Sequence, residues 1–77
     1  MTAVDLESQL RAAFSDAEIE ITDLAGDGDH YRARIISSAF VGLSRVRQHQ
    51  LVYAALNGRV GAELHALALE TAPPPVS

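Results

Sequence analysis

The chain has 77 residues, 48% of them hydrophobic, with a net charge of −4 and neither cysteine nor lysine. That length holds one small domain, which buries only roughly 60% of its unfolded surface, and without cysteine it has no disulfides and no thiolate ligands of its own. No apolar run nears the ~18 residues of a membrane span and the N-terminus lacks a signal-peptide pattern, so the expectation is a cytoplasmic protein with no membrane partner.

Thr2 followed by Asp5 is close to a capping box. Leu6, Leu10 and Phe14, with Val4 and Ala13, recur at helical spacing and predict a helix over residues 3 to 14. "SDAE" breaks it. Residues 18 to 24, "EIEITDL", alternate strictly and predict a half-buried strand with Ile19 and Ile21 on one face. "AGDGD" is turn chemistry. Residues 30 to 37, "HYRARIIS", alternate again, with Tyr31, Ala33 and Ile35 against His30, Arg32 and Arg34. A turn centred on Asp27 sets Ile19 opposite Ile35, Ile21 opposite Ala33 and Glu20 opposite Arg34, so both faces agree with one register.

"SAFVGL" is a connector anchored by Phe40. Ser44 can cap a second helix from residue 45 to about 57, with Val46, Tyr53 and Leu56 on its apolar stripe, and Gly58 just past its end. Phe40 and Tyr53 are expected in the core. Residues 62 to 70, "AELHALALE", are apolar enough for a third strand, with Leu64, Ala66 and Ala68 on one face and His65, Leu67 and Leu69 on the other. "TAPPPVS" reads as a frayed tail.

Helix, strand, strand, helix, strand in that order specifies an α+β domain. The link from the second strand through a helix to the third suits a parallel crossover, giving a three-stranded mixed sheet. Parallel strands begin at the same end of a sheet. The loop Asp27 to His30 and His65, 35 residues on, would then meet at one sheet edge.

Charge is distributed unevenly. Residues 1 to 30 hold eight acids and one base, Arg11, while residues 31 to 60 hold five arginines and no acid. Arginine suits forked recognition of carboxylate or phosphate, although a solvated face paired with the acidic half explains the same pattern.

The pieces "GDGDHYRARIISSAFVGLSRV", "HQLVYAAL" and "ELHALAL", in that order and spacing, resemble the BolA family, especially its short IbaG-like branch, over roughly residues 19 to 71. The resemblance implies a BolA-like domain over residues 1 to 71 and a flexible tail over residues 72 to 77, with helices on one face of the sheet, as in a type II KH domain. It implies partnership with a monothiol, CGFS-type glutaredoxin in iron–sulfur cluster assembly. The two proteins form a heterodimer that shares a 2Fe–2S cluster with glutathione, and the isolated protein holds no cofactor. The histidine of the third strand carries over to His65 as a ligand. The second ligand comes from the loop between the first two strands, where some relatives carry cysteine. Others use a loop histidine, so here Asp27 or His30 must serve, or the site is weaker. The sequence departs from many relatives at "RQHQ", Arg47 to Gln50, where they set arginines on both sides of the histidine, and at its end, where they continue into a further helix.

Each of these residues also has a plainer reading. A lone histidine at a strand start is commonly a half-buried residue. Asp27, Asp29 and His30 suit a polar turn, and no twelve-residue calcium loop follows them. His49 is either a helix residue with local hydrogen bonds or part of a docking face with Arg45 and Arg47. Those arginines also carry the rival reading, a DNA-binding regulator of stress response and cell morphology, since some BolA relatives regulate transcription. Against it stand the acidic balance and the absence of a GXXG loop. Ser44 is better explained as a helix cap than as a nucleophile, and no nucleophile–base pair is recognisable, so an enzyme with a small-molecule substrate is not expected.

Overall fold

A computed structural model of the protein describes residues 2–60 and 66–75. The elements are α1 (Ala3–Ala13), β1 (Glu18–Asp23), β2 (His30–Ile36), a 3-10 turn (Ser38–Phe40), α2 (Arg45–Ala55) and β3 (Ala66–Ala72). They form a small α+β domain whose sheet runs β1-β2-β3, antiparallel between β1 and β2 and parallel between β2 and β3.

The hairpin has the register that its alternation requires: Ile19 pairs with Ile35, Glu20 with Arg34 and Ile21 with Ala33. Tyr31, Ala33 and Ile35 are buried, whereas Arg32 and Arg34 are exposed. The exposed sheet face therefore sets Arg34 between Glu20 on β1 and Glu70 on β3. The other face packs under the helices around Leu6, Leu10, Phe14, Phe40, Val52 and Leu56. The rings of Phe14 and Phe40 meet at a centroid distance of 5.3 Å.

Both helices start as their caps dictate. Thr2 accepts the Asp5 N–H at 3.1 Å and Ser44 accepts the Arg47 N–H at 3.3 Å. Their buried faces differ from the apolar periodicity. In α1 the buried stripe narrows to Leu6, Leu10 and the cap residue Phe14, and Val4 and Ala13 are exposed. In α2, Val46 is 66% and Tyr53 43% exposed, so neither belongs to the core. The helix instead buries Gln48, Val52 and Leu56, a stripe of period four with a polar residue at its head. Gln48 tolerates burial because its amide is satisfied: Nε2 donates to the Leu43 carbonyl at 2.9 Å and Oε1 accepts from the Thr71 hydroxyl at 2.7 Å. That pair ties α2 to β3. Helix α2 closes at Leu56, and the chain then turns through two left-handed residues, Asn57 (φ 51°) and Gly58 (φ 74°).

The first residues of the expected third strand, 62 to 65, lie outside the described residues. Its other end runs further than the pattern suggests. β3 continues through Ala72, whose carbonyl accepts the Ser37 N–H at 3.1 Å.

Asp16, in the α1–β1 turn, closes the domain on this side. Its carboxylate accepts the Ser37 hydroxyl at 2.9 Å, the Ser38 N–H at 3.1 Å and the Ser38 hydroxyl. The Ser38 hydroxyl, then the Ser38 N–H and the Ser37 hydroxyl, hold the carboxyl below its ordinary value. A carboxyl lowered on folding stabilises the fold above its unfolded pKa, and that stability is lost as pH falls through the folded value. We expect Asp16→Asn to lower the melting temperature at neutral pH and to weaken its dependence on pH in the acid range. An acid limb identical to that of the unmodified chain would contradict this role.

Candidate metal-binding loop

The β1–β2 loop is built by two aspartates. Asp23, the last residue of β1, receives the Gly26 N–H on Oδ1 at 2.8 Å and the Gly28 N–H on Oδ2 at 3.0 Å. Gly26 and Gly28 both sit at φ +70°, where a side chain would be strained. Asp27 repeats the device one turn later. Its Oδ1 accepts the Asp29 N–H at 2.9 Å and the His30 N–H at 3.3 Å. Its Oδ2 lies 3.0 Å from Nδ1 of the His30 ring. The hairpin closes below with the Leu24 N–H on the His30 carbonyl at 2.8 Å.

The electrostatics follow from these contacts. The Asp29 N–H, opposed by partial desolvation and supported by His30, holds the Asp27 carboxyl below the ordinary carboxylate range. The buried Tyr31 hydroxyl is pushed up by desolvation and then by Asp23, Asp27 and Asp29. An ionised carboxylate only accepts hydrogen bonds, so this contact is a hydrogen bond when His30 carries a proton on Nδ1. One ligand atom each from Asp27, Asp29 and His30 lies within 4.8 Å of the others. Imidazole and carboxylate can serve iron as borderline and hard donors. A 2Fe–2S centre accepts two imidazoles on one iron when thiolates hold the other. The loop thus offers an imidazole donor that suits such a cluster, provided that a partner brings the thiolates.

The loop also touches the head of β3. His30 pairs with Ala66, and the Ala66 N–H donates to the Asp29 carbonyl at 3.2 Å. The residue before Ala66 in sequence is His65, which lies outside the described residues. Asp27 and His30 are therefore in contact with each other, and their loop is joined to the strand that His65 precedes.

Arg45, Arg47 and His49 do not share one surface. Arg45 and His49 line a groove with Leu69, Glu70 and Thr71, whereas Arg47 lines another with Leu43, Gln50 and Leu51. The first groove lies at the far end of β3 from Ala66, three to five residues along the strand, or roughly 10–17 Å at ~3.3 Å per residue. The His49 Nε2 is shielded from solvent and has no hydrogen-bond partner among the described residues. Asp23 escapes the alternation pattern, in which it is merely the residue that ends a strand. Its signal is an aspartate with glycines three and five residues on, a side chain placed to cap successive turn N–H groups.

Residues 3–75 match the family described as BolA-like protein. An uncharacterized protein of Rickettsia prowazekii is 41% identical over 71 residues, covering 92% of this chain and 92% of its own length. The DNA-binding transcriptional regulator BolA of Escherichia coli is 32% identical over 73 residues, covering 86% of this chain and 70% of the regulator. Among solved structures, BolA1 from Arabidopsis thaliana superposes with a TM-score of 0.83 at 30% identity, covering 97% of this chain and 94% of that one.

Proposed function

Since this chain belongs to the BolA-like family, we propose that it is a non-catalytic partner of a monothiol glutaredoxin and shares a 2Fe–2S cluster with it for iron–sulfur trafficking or iron regulation in the cytoplasm. The observation that supports this most is the joining of the His30 loop to the start of β3, because it sets an imidazole beside the strand whose preceding residue is the family's histidine. In this reading His65 and a loop residue, His30 or Asp27, hold one side of the cluster. The glutaredoxin and its glutathione supply thiolates on the other. Imidazole in place of thiolate makes the bound centre less electron-rich, which raises its potential and alters its lability. The chain's own part is to orient the loop: Asp23 and Asp27 bind its backbone N–H groups, so the donors are arranged before the partner arrives. We expect the chain, mixed with cluster-loaded glutaredoxin and glutathione, to elute as a coloured one-to-one heterodimer in size-exclusion chromatography. Colour that remains with glutaredoxin alone would refute the reading.

A second reading draws on the Escherichia coli relative's name and on Arg45 and Arg47, exposed beside the capped start of α2. A helix N-terminus flanked by arginines suits phosphate, but the net charge of −4 opposes it. We expect duplex DNA to bind no more tightly than the non-specific range of roughly 10⁻⁴–10⁻⁶ M at physiological salt. Tighter binding that falls steeply with salt, and falls further in the Arg45→Gln, Arg47→Gln double variant, would favour the regulator.

A further inference from the structure

We propose that the free edge of β3 takes an extended, acidic peptide segment of a partner protein as a fourth strand, in the groove between that edge and α2. The groove lies at the far end of β3 from the His30 loop, so the inference stands apart from the cluster-sharing reading.

The backbone of β3 carries the first half of the argument. β3 ends the sheet, which runs β1-β2-β3. The Ala66 N–H donates to the Asp29 carbonyl, and the Ala72 carbonyl accepts the Ser37 N–H. Such contacts recur at every second residue of a parallel pair, so Ala66, Ala68, Glu70 and Ala72 spend their backbone groups on β2. Leu67, Leu69 and Thr71 turn their N–H and C=O groups to the open side, where no hydrogen bond reaches them among the described residues. These groups repeat about every 6.7 Å, the period of another strand. Edge strands are commonly blunted by charge, proline or a bulge. From Leu67 to Thr71 the edge has no proline and a single charge, Glu70.

The groove supplies the second half. Arg45 and His49 of α2 line it with Leu69, Glu70 and Thr71. Arg45 is exposed and forms no ion pair among the described residues, and α2 contains no acid. Glu70 belongs to the outer sheet face, where its carboxylate lies 4.0 Å from the Arg32 guanidinium. The His49 ring borders the groove, and its shielded Nε2 has no hydrogen-bond partner among the described residues. An incoming strand with an aspartate or glutamate on its α2 side answers Arg45, and its backbone pairs with Leu67, Leu69 and Thr71. A second copy of this chain fits less well, because joining two β3 edges about Leu69 brings two copies of Arg45 together. A nucleic acid fits less well too, because its phosphodiester backbone has no donors for the free carbonyls and meets a net charge of −4.

The test titrates the ¹⁵N-labelled full-length chain with an acetylated, amidated peptide of about seven residues, in which valine and threonine alternate around one central aspartate. The Leu67, Leu69 and Thr71 amide signals should shift to saturation below about 1 mM peptide, and their hydrogen exchange should slow. N-methylation of alternate peptide amides should abolish binding in one phase, the one that faces β3, and spare it in the other. That comparison leaves the chain itself unaltered. Arg45→Glu should weaken binding about fivefold, and an acid in the first turn is compatible with α2. A peptide with lysine in place of the aspartate should bind this variant better than the unmodified chain. The absence of a saturable shift, equal loss from both methylation phases, or indifference to Arg45→Glu would overturn the proposal. Shifts at the same amides on raising the concentration of the chain alone would assign the edge to a second copy. Stronger, salt-sensitive shifts with a single-stranded oligonucleotide would assign the groove to nucleic acid. Either result would also overturn it.

Discussion

Phe40→Ala is expected to cost about 3–5 kcal/mol of stability, the range for removing a buried aromatic ring. Phe40 is fully buried and packs on Phe14 at 5.3 Å. It is the last residue of the 3-10 turn that links β2 to α2, so its ring anchors the crossover as well as filling the core. A domain holds only about 5–15 kcal/mol in total, and the small ones sit at the low end. At ~4–8 °C per kcal/mol for a chain of this size, the melting temperature should fall by more than about 12 °C. Thermal unfolding followed by far-ultraviolet circular dichroism measures it. Phe40→Leu keeps much of the apolar volume and should cost clearly less. A loss below about 1 kcal/mol for the alanine variant would mean that the ring is not packed as described.

The second large effect is expected at His65. If it is a cluster ligand, His65→Ala should weaken cluster retention by the glutaredoxin complex more than roughly 100-fold, beyond the 10–100-fold cost of losing an outer-shell partner. Release of the cluster to an iron chelator, timed by the decay of visible absorbance, gives the number. His49→Ala is the matched control, since His49 lines a groove at the other end of β3. Equal retention in the two variants would remove His65 from the ligand set. Thermal melting of both variants separates a lost ligand from a lost fold.

Much of the fold was legible in the sequence because the two periods are clean where one face is buried. Strict alternation over Ile19, Ile21, Tyr31, Ala33 and Ile35, with a turn centred on Asp27, agrees with one hairpin register, and the structure has it. Ser44 and Thr2 mark helix starts by side-chain chemistry that acts within three residues. The face of α2 was not legible. Its buried stripe begins with Gln48, and a polar residue enters a core only when distant groups satisfy it, here Leu43 and Thr71. Apolar periodicity, blind to those partners, selects Val46 and Tyr53, which are exposed.

The candidate site divides in the same way. Glycines and aspartates announce a tight loop, and the parallel crossover brings that loop to the head of β3. That Asp27 holds the His30 ring while Asp23 caps the turn before it depends on side-chain directions that spacing does not encode. Arg45, Arg47 and His49, read from the sequence as one candidate docking face, divide between two grooves for a related reason. Residues 45 and 49 lie one helical turn apart on a shared face, and residue 47 points elsewhere.

Cluster sharing is tested most directly by visible circular dichroism during a titration of cluster-loaded monothiol glutaredoxin with this chain in the presence of glutathione. A new spectrum that grows to saturation at one chain per glutaredoxin, distinct from that of the glutaredoxin homodimer, is the predicted result. A spectrum that remains that of the homodimer at every ratio would contradict it.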